Sequence, residues 1–321
     1  MAGKGHDIIV IGTSAGGLEA LDALIGQLTA DIPSSIFIVQ HMAAENSGGA
    51  LLNRLSRHTA FVCKFAEDGE SFRVGRIYIA RPDNHLLLKK DRLLVTKGAR
   101  ENRNRPGIDP LFRSAAVAFS TRESALHNLQ VDHCVPISEM GALLEVLAKT
   151  HARKRYSIPG DIRSEAKIAE RVLSDVAAVN SLGQQVPYNC PNCGGVLWEM
   201  DSATVPRYRC HTGHSFTLPA LLDGQSEKIE ETLWIALRMF EERKNLLNST
   251  NNSFAVQRAK ETQIHIERIR AILLDPRTWQ HSLDRVKKMM SAHPKTKSVR
   301  DEEERLENLS RVSKKKASRS K

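Results

Sequence analysis

Aromatic residues are scarce in this sequence, at 5% of the chain, and no apolar run approaches the ~20 residues that a bilayer-crossing helix needs. A membrane span is thereby excluded. No leader is expected from the N-terminal residues: Met1 to Asp7 runs straight into a strand-like stretch, with no basic flank, apolar core or small-residue cleavage site. A cytoplasmic protein is expected. Cysteines are few and odd in number, five in all, and Cys190, Cys193 and Cys210 share one 21-residue window beside two histidines. In a reducing compartment such a cluster points to a metal rather than to disulfides. Cys63 and Cys134 stand apart and read as plain buried thiols. Acid is missing from the last eleven residues, Arg311 to Lys321, which hold six of the ten net positive charges. The high isoelectric point, 9.5, is therefore mostly a property of a short tail, expected to be disordered from about Ser310.

What remains is a globular composition, with 41% hydrophobic and 26% charged residues over 321 positions, enough for two domains. Residues 7–42 read as one βαβ unit. Asp7 to Ile11 is a β-branched run, Gly17 to Leu28 has helical spacing, and Ser35 to Val39 is a second apolar run. Helical spacing returns at Leu51 to Leu55, and strand-like runs follow at Arg76 to Ala80 and Leu93 to Thr96. Asp68-Gly69 and Pro82-Asp83-Asn84 are turn signals. A helix over Asp109 to Phe119 is predicted to open with Asp109 as N-cap and Pro110 at its first position. A strand at Val131 to Val135 and a helix at Ser138 to Ala148 complete an α/β domain, a doubly wound and mainly parallel sheet spanning 7–150.

Residues 151–187 read as a linker that docks, with one amphipathic helix presenting Ile162, Ile168, Ala169, Val172 and Leu173 on one face. A small zinc-ribbon-like module is predicted at 188–217, an all-α helical hairpin at 218–290, and a charged tail at 291–321. The hairpin stripes are Ile229, Leu233, Ala236, Leu237 and Phe240, then Ile264, Ile266, Ile269, Ile272 and Leu273, with the turn at Asn248 to Ser253.

The segment Gly12-Thr13-Ser14-Ala15-Gly16 sits at the first strand-to-helix turn. A dinucleotide fingerprint would need a glycine where Ser14 stands, and the second strand ends in Gln40-His41 with no acid to hold a ribose. The fit is to G-x-S-x-G, the nucleophile elbow, where small neighbours let a serine project above the sheet. His41 ends the next strand on the same edge, and neighbouring strands stand about 5 Å apart. Ser14 and His41 are therefore a candidate nucleophile and general base.

Ile9-Val10-Ile11-Gly12-Thr13-Ser14-Ala15-Gly16-Gly17, Val39-Gln40-His41-Met42, Ala66-Glu67-Asp68-Gly69, Ile77-Tyr78-Ile79-Ala80, Asn104-Arg105-Pro106-Gly107-Ile108-Asp109 and Val131-Asp132-His133 together resemble the chemotaxis protein-glutamate methylesterases of the CheB type. The resemblance covers about residues 7–150. It implies that Ser14 attacks a γ-glutamyl methyl ester on a methylated chemoreceptor, with His41 as base and the Ser14 and Ala15 backbone N–H groups in the oxyanion hole. It implies glutamine deamidation by the same acyl chemistry, and a methyltransferase as a further partner.

Two departures from the family pattern stand out. Family members place a third residue, an aspartate, in a T-G-M-x-x-D-G loop, whereas this chain runs from Ala115–Arg122 directly into Glu123-Ser124-Ala125-Leu126. A strand-helix-strand unit of ~30 residues or more is missing there, so a gap in the sheet and impaired activity are expected. Asp109 and Asp132 match other family positions and do not replace the aspartate. The esterase-like strand begins at residue 8, so the receiver domain of many family members is not expected here.

Cys190-Pro191-Asn192-Cys193-Gly194-Gly195 is followed by Cys210-His211-Thr212-Gly213-His214. C-x-x-C, a 16-residue interval and a Cys/His knuckle fit a structural zinc ion held by Cys190, Cys193, Cys210 and His214, with His211 as the alternative fourth ligand. Strands at Val196 to Met200 and Arg207 to Arg209 would pair beside it. Zinc ribbons also bind nucleic acid, and Lys97, Arg100, Arg103, Arg105, Arg207 and Arg209 are the candidate basic surface. Little aromatic interleaving supports stacking on bases, so nucleic acid is the minor alternative. A non-catalytic scaffold is the other.

Overall fold

A computed structural model describes residues 7–14, 16–119, 133–150, 158–170, 176–200, 206–250 and 252–275. The chain forms two compact units, residues 1–228 and 229–321. The first begins with β1 (Ile8–Thr13), α1 (Gly17–Ile25), β2 (Ser35–Gln40), α2 (Gly49–Arg57), β3 (Val62–Phe65) and β4 (Arg76–Ile79). These strands make a parallel sheet in the order β1-β2-β4-β3. Alternation along β2 explains its burial on both faces. Ile36 and Ile38 pack with Leu21, Ile25, Leu55 and Ile77 on one side, while Phe37 and Val39 pack with Tyr78, Leu86 and Leu111 on the other.

The second face is covered by α3 (Ile108–Phe119) and by the antiparallel pair β5 (His85–Leu88) and β6 (Leu93–Thr96). The pair β3 and β5 escaped the sequence reading, because four-residue apolar runs carry little periodicity. Asp109 is not the N-cap of α3, which starts at Ile108; its carboxylate lies inside the first turn and accepts from Asn102 Nδ2 at 3.0 Å. α4 (Ile137–Lys149) packs on α1. The strand expected at Val131 to Val135 falls partly outside the described residues, and His133 to Pro136 form no strand. The sheet shows no internal gap among the described residues: β1 is its edge and is only half-buried. Cys63 and Cys134 are not the buried thiols expected. Cys63 is half-buried because it lies on the outer strand β3, and Cys134 is exposed in the stretch before α4.

α5 (Gly160–Glu170) buries Ile162 against Ala116 of α3, and Ile168 against Trp198 and Met200. Val172 and Leu173 lie outside the described residues. After α6 (Val176–Asn180) comes an antiparallel sheet in the order β10-β9-β8-β7, with β7 (Gly183–Asn189), β8 (Val196–Met200), β9 (Arg207–Cys210) and β10 (Ser215–Thr217). Its core is Cys190, Leu197, Tyr208, Cys210, Phe216 and Leu221.

The helix α7 (Leu218–Ser249) runs from the first unit into the second, where α8 (Ser253–Leu274) follows it. Asn252 caps α8 by accepting from Phe254 N at 2.9 Å. The second stripe departs from its predicted form. Ala255, Ala259, Thr262 and Ile266 are buried, whereas Ile264 and Ile272 are 49% and 44% exposed. Ile264 and Ile266 are two residues apart, which places them on opposite sides of a helix. On α7, Leu237 is buried but Ile229 is exposed. Residues 276–290 of the predicted hairpin and the whole charged tail lie outside the described residues. No helix among the described residues is long and apolar enough to cross a membrane.

Candidate active site and metal centre

The parallel register pairs Thr13 with Gln40, so Ser14 and His41 leave the carboxyl ends of adjacent strands side by side. The Ser14 Oγ and His41 Nδ1 atoms are 3.3 Å apart, and the backbone N–H of His41 donates to Thr13 O at 3.0 Å. Carboxyl ends of parallel strands are where open α/β sheets bind ligands. Gly12 is required here by close approach: a Cβ at that position would stand 2.4 Å from Ile108 Cγ2 of α3. Beyond the serine, Gly16 takes a left-handed φ of 79° and Gly17 N donates to Ser14 O at 2.9 Å, which starts α1. Ala15 lies outside the described residues.

Gln40 is a feature the sequence reading passed over. Its Nε2 donates to Ser14 O at 2.9 Å and to His41 O at 3.3 Å, while its Oε1 accepts from the Thr13 hydroxyl. The side chain is buried, and it ties the two main chains that carry the serine and the histidine. Its signal was available: a polar residue closing an otherwise apolar buried strand, one position before the histidine.

Burial lowers the His41 pKa from its ordinary value, which keeps the imidazole neutral and able to accept a proton. Among the described residues no carboxylate is hydrogen-bonded or ion-paired to it. Asp109 is buried instead between Asn102 and the Arg113 side of α3, and burial raises its pKa. Asp132 lies outside the described residues.

The second site is the cysteine cluster. One ligand atom each from Cys190, Cys193, Cys210 and His214 falls within 4.8 Å of all the others. The Cys193 and Cys210 sulfurs are 3.7 Å apart, and Cys210 Sγ stands 3.5 Å from His214 Nδ1. With metal–sulfur bonds of about 2.3 Å, the ligand atoms of a tetrahedral zinc site stand about 3.8 Å apart, so these separations fit the ion. Two matching knuckles build the cluster. Gly194 N donates to Cys190 O at 2.8 Å and Gly213 N to Cys210 O at 2.9 Å, both glycines with positive φ. The His211 ring lies against Gly195, where an added Cβ would meet it at 2.7 Å.

The candidate basic surface loses its two ribbon arginines, while Lys97 and Arg100 stay exposed. Arg207 and Arg209 are buried against Glu165 and Glu101, Arg105 and Lys97 pair with Asp83, and Arg103 pairs with Glu227. Arg207 and Arg209 are thus consumed within the fold, and Arg103, Arg105 and Lys97 each have an acidic partner.

A doubly wound α/β domain with a serine at a glycine-lined strand-to-helix turn and a histidine on the adjacent strand has the layout of a serine-dependent acyl hydrolase. Comparison narrows the class. Residues 9–143 match the family model described as CheB methylesterase. The chain is 35% identical over 178 residues to the protein-glutamate methylesterase/protein-glutamine glutaminase of Maricaulis maris, covering 52% of this chain and 43% of that protein. It is 31% identical over 171 residues to protein-glutamate methylesterase/protein-glutamine glutaminase 2 of Methanosarcina mazei, covering 49% and 46%. The aligned segment thus spans less than half the length of either relative. The catalytic domain of Thermotoga maritima CheB methylesterase is 35% identical, over 37% of this chain and 64% of that one, but its TM-score of 0.34 is too low to add to the assignment.

Proposed function

We propose that this chain is a protein-glutamate methylesterase of chemotaxis-type signalling, hydrolysing γ-glutamyl methyl esters on a methylated chemoreceptor and deamidating glutamines by the same route. The observation that carries the reading is the 3.3 Å approach of Ser14 Oγ to His41 Nδ1 at the carboxyl edge of β1 and β2. In this scheme the Ser14 hydroxyl gives its proton to His41 Nδ1 as Oγ attacks the ester carbonyl. The imidazolium then protonates the departing methoxide, methanol leaves, and water, activated by the same imidazole, frees the glutamate from Ser14. Backbone N–H groups of Ser14 and Ala15, at the positive end of the α1 dipole, are the oxyanion donors in this reading. A methyltransferase catalysing the opposing reaction is the matching partner.

Without a carboxylate behind the imidazole, turnover is reduced. In serine proteases loss of that partner lowers kcat on the order of 10⁴-fold. The rate should rise with pH with a midpoint below the ordinary histidine value, because burial lowers the His41 pKa. Cys190, Cys193, Cys210 and His214 hold a structural zinc ion, a closed site that supplies folding energy and takes no part in the hydrolysis. The test is methanol release from a methylated receptor fragment. Slow release that Ser14→Ala abolishes supports the reading. Release unaffected by Ser14→Ala refutes it, and no release beside receptor binding favours a scaffold.

A further inference from the structure

The cysteine cluster and the serine elbow are joined by an unbroken run of contacts through buried charge. Arg209 on β9 neighbours the ligand Cys210, and its Nη1 donates to Gly213 O inside the knuckle at 2.9 Å. Its Nη2 reaches Glu101 at 3.2 Å and Glu165 at 3.0 Å. Glu101 accepts in turn from Arg113 on α3, which also stands 3.3 Å from Glu165. The first turn of α3 presents Ile108 to Gly12, two residues before Ser14. All members of the charge network are at least nine-tenths buried.

The main chain follows the same route. Asn102 N donates to Ser215 O at 2.7 Å, Thr217 N donates to Asn102 Oδ1 at 2.8 Å, and Asn102 Nδ2 donates to Asp109 at the start of α3. Segment 100–102 is therefore pinned to β10 on one side and to α3 on the other, with Glu101 in a parallel bridge to Ser215. The ribbon and the α/β domain fall in a single compact unit.

We propose that metal binding at the cysteine cluster sets the order of α3 and segment 99–107, and so the firmness of the floor beneath the Ser14 elbow. This rests on the zinc reading above and adds a coupling to it. A ribbon of this size folds on its metal. When it loosens, Arg209 is withdrawn from Glu101 and Glu165, and Arg113 keeps a weakened partner at the foot of α3. Coupling then travels through one contiguous set of buried ion pairs and hydrogen bonds whose arrangement the metal biases. Ser14 and His41 need not touch the ion for zinc to govern their alignment.

The experiment is amide hydrogen exchange on the full chain, zinc-loaded and after chelation, with zinc content measured alongside. The expected result is that chelation speeds exchange at least tenfold both in 183–217 and in 99–119, while α2 is little changed. Faster exchange confined to 183–217 overturns the coupling and leaves the zinc reading standing. Less than half an equivalent of bound zinc overturns both. Arg209→Met supplies a second arm: it should still bind one equivalent of zinc, yet zinc should slow exchange in α3 clearly less than in the native chain, the Asn102 route alone remaining. If zinc protects α3 equally in Arg209→Met, the path through Arg209 is wrong.

Discussion

Replacing Glu165 by glutamine removes one of two carboxylates that hold three buried guanidiniums. In the native fold Glu165 accepts from Arg207 Nη2 at 2.8 Å and Arg209 Nη2 at 3.0 Å, with Arg113 Nη1 at 3.3 Å. Its side chain is 1% exposed, and those of Arg113, Arg207 and Arg209 are 0%, 7% and 1% exposed. A glutamine keeps the shape but not the charge, leaving Arg207 without its carboxylate and Glu101 as the ion-pair partner of Arg113 and Arg209. Breaking a buried pair by removing one partner costs about 3–5 kcal/mol. For a cooperative unit of this size that lowers the melting temperature by about 6–20 °C. The assay is a thermal melt of the full chain, with Arg92→Ala as control. Arg92 and Asp91 form an exposed pair, 60% and 77% accessible, and their loss should change stability by less than about 0.5 kcal/mol. A Glu165→Gln melt indistinguishable from that of Arg92→Ala would refute the view that this network holds α3, α5 and β9 together.

Other outcomes follow from single contacts. Gly12→Ala drives a methyl into Ile108 and should destabilise by about 1–3 kcal/mol in urea unfolding. Ile266→Ala should cost about 2–5 kcal/mol in the second unit, whereas Ile264→Ala, on the exposed side, should cost less than about 0.5; equal effects would mean that the hairpin faces are misassigned. Acid should weaken the first unit in two stages, read as melting temperature against pH. Burial lowers the His85 pKa while the ring sits between Ala99 O and Gly107 N, so the stability tied to its neutral form is present above about pH 6.5 and lost as pH falls below it. Burial alone would raise the Glu101 pKa, but Arg113 and Arg209 hold it at about 2. Its contribution, about 3 kcal/mol, is present above the ordinary carboxylate value of 4.5 and lost as pH falls from there towards 2. A melting temperature flat from pH 7 to 3 would contradict both. Gln40→Leu should lower methanol release at least tenfold with little change in KM, because it frees the Ser14 and His41 main chains without touching substrate.

Much of the first domain was legible because its signals are local. The elbow motif, the β-branched runs at Ile8 and Ser35 and the position of His41 fix a βαβ unit whose register then brings the serine and histidine together. The cluster spacing likewise pointed to Cys190, Cys193, Cys210 and His214, whose ligand atoms lie within 4.8 Å of one another. Buried charge was not legible. Arg207 and Arg209 looked like surface, since nothing local announces that Glu165, more than forty positions earlier, and Glu101, more than a hundred, will meet them. Asp109 was misplaced for the same reason: its partner Asn102 belongs to a loop whose shape depends on β10. The misdrawn α8 stripe was a different fault, an apolar count taken without its 3.6-residue period.

The most direct test of the whole account is methanol release from methylated receptor by the wild-type chain, Ser14→Ala and His41→Ala under identical conditions. The account predicts slow but measurable release by the wild type, rising with pH with a midpoint below 6.5, and background rates for both variants. Equal release by all three proteins, or a wild-type rate at background while zinc is bound and the fold intact, would contradict it.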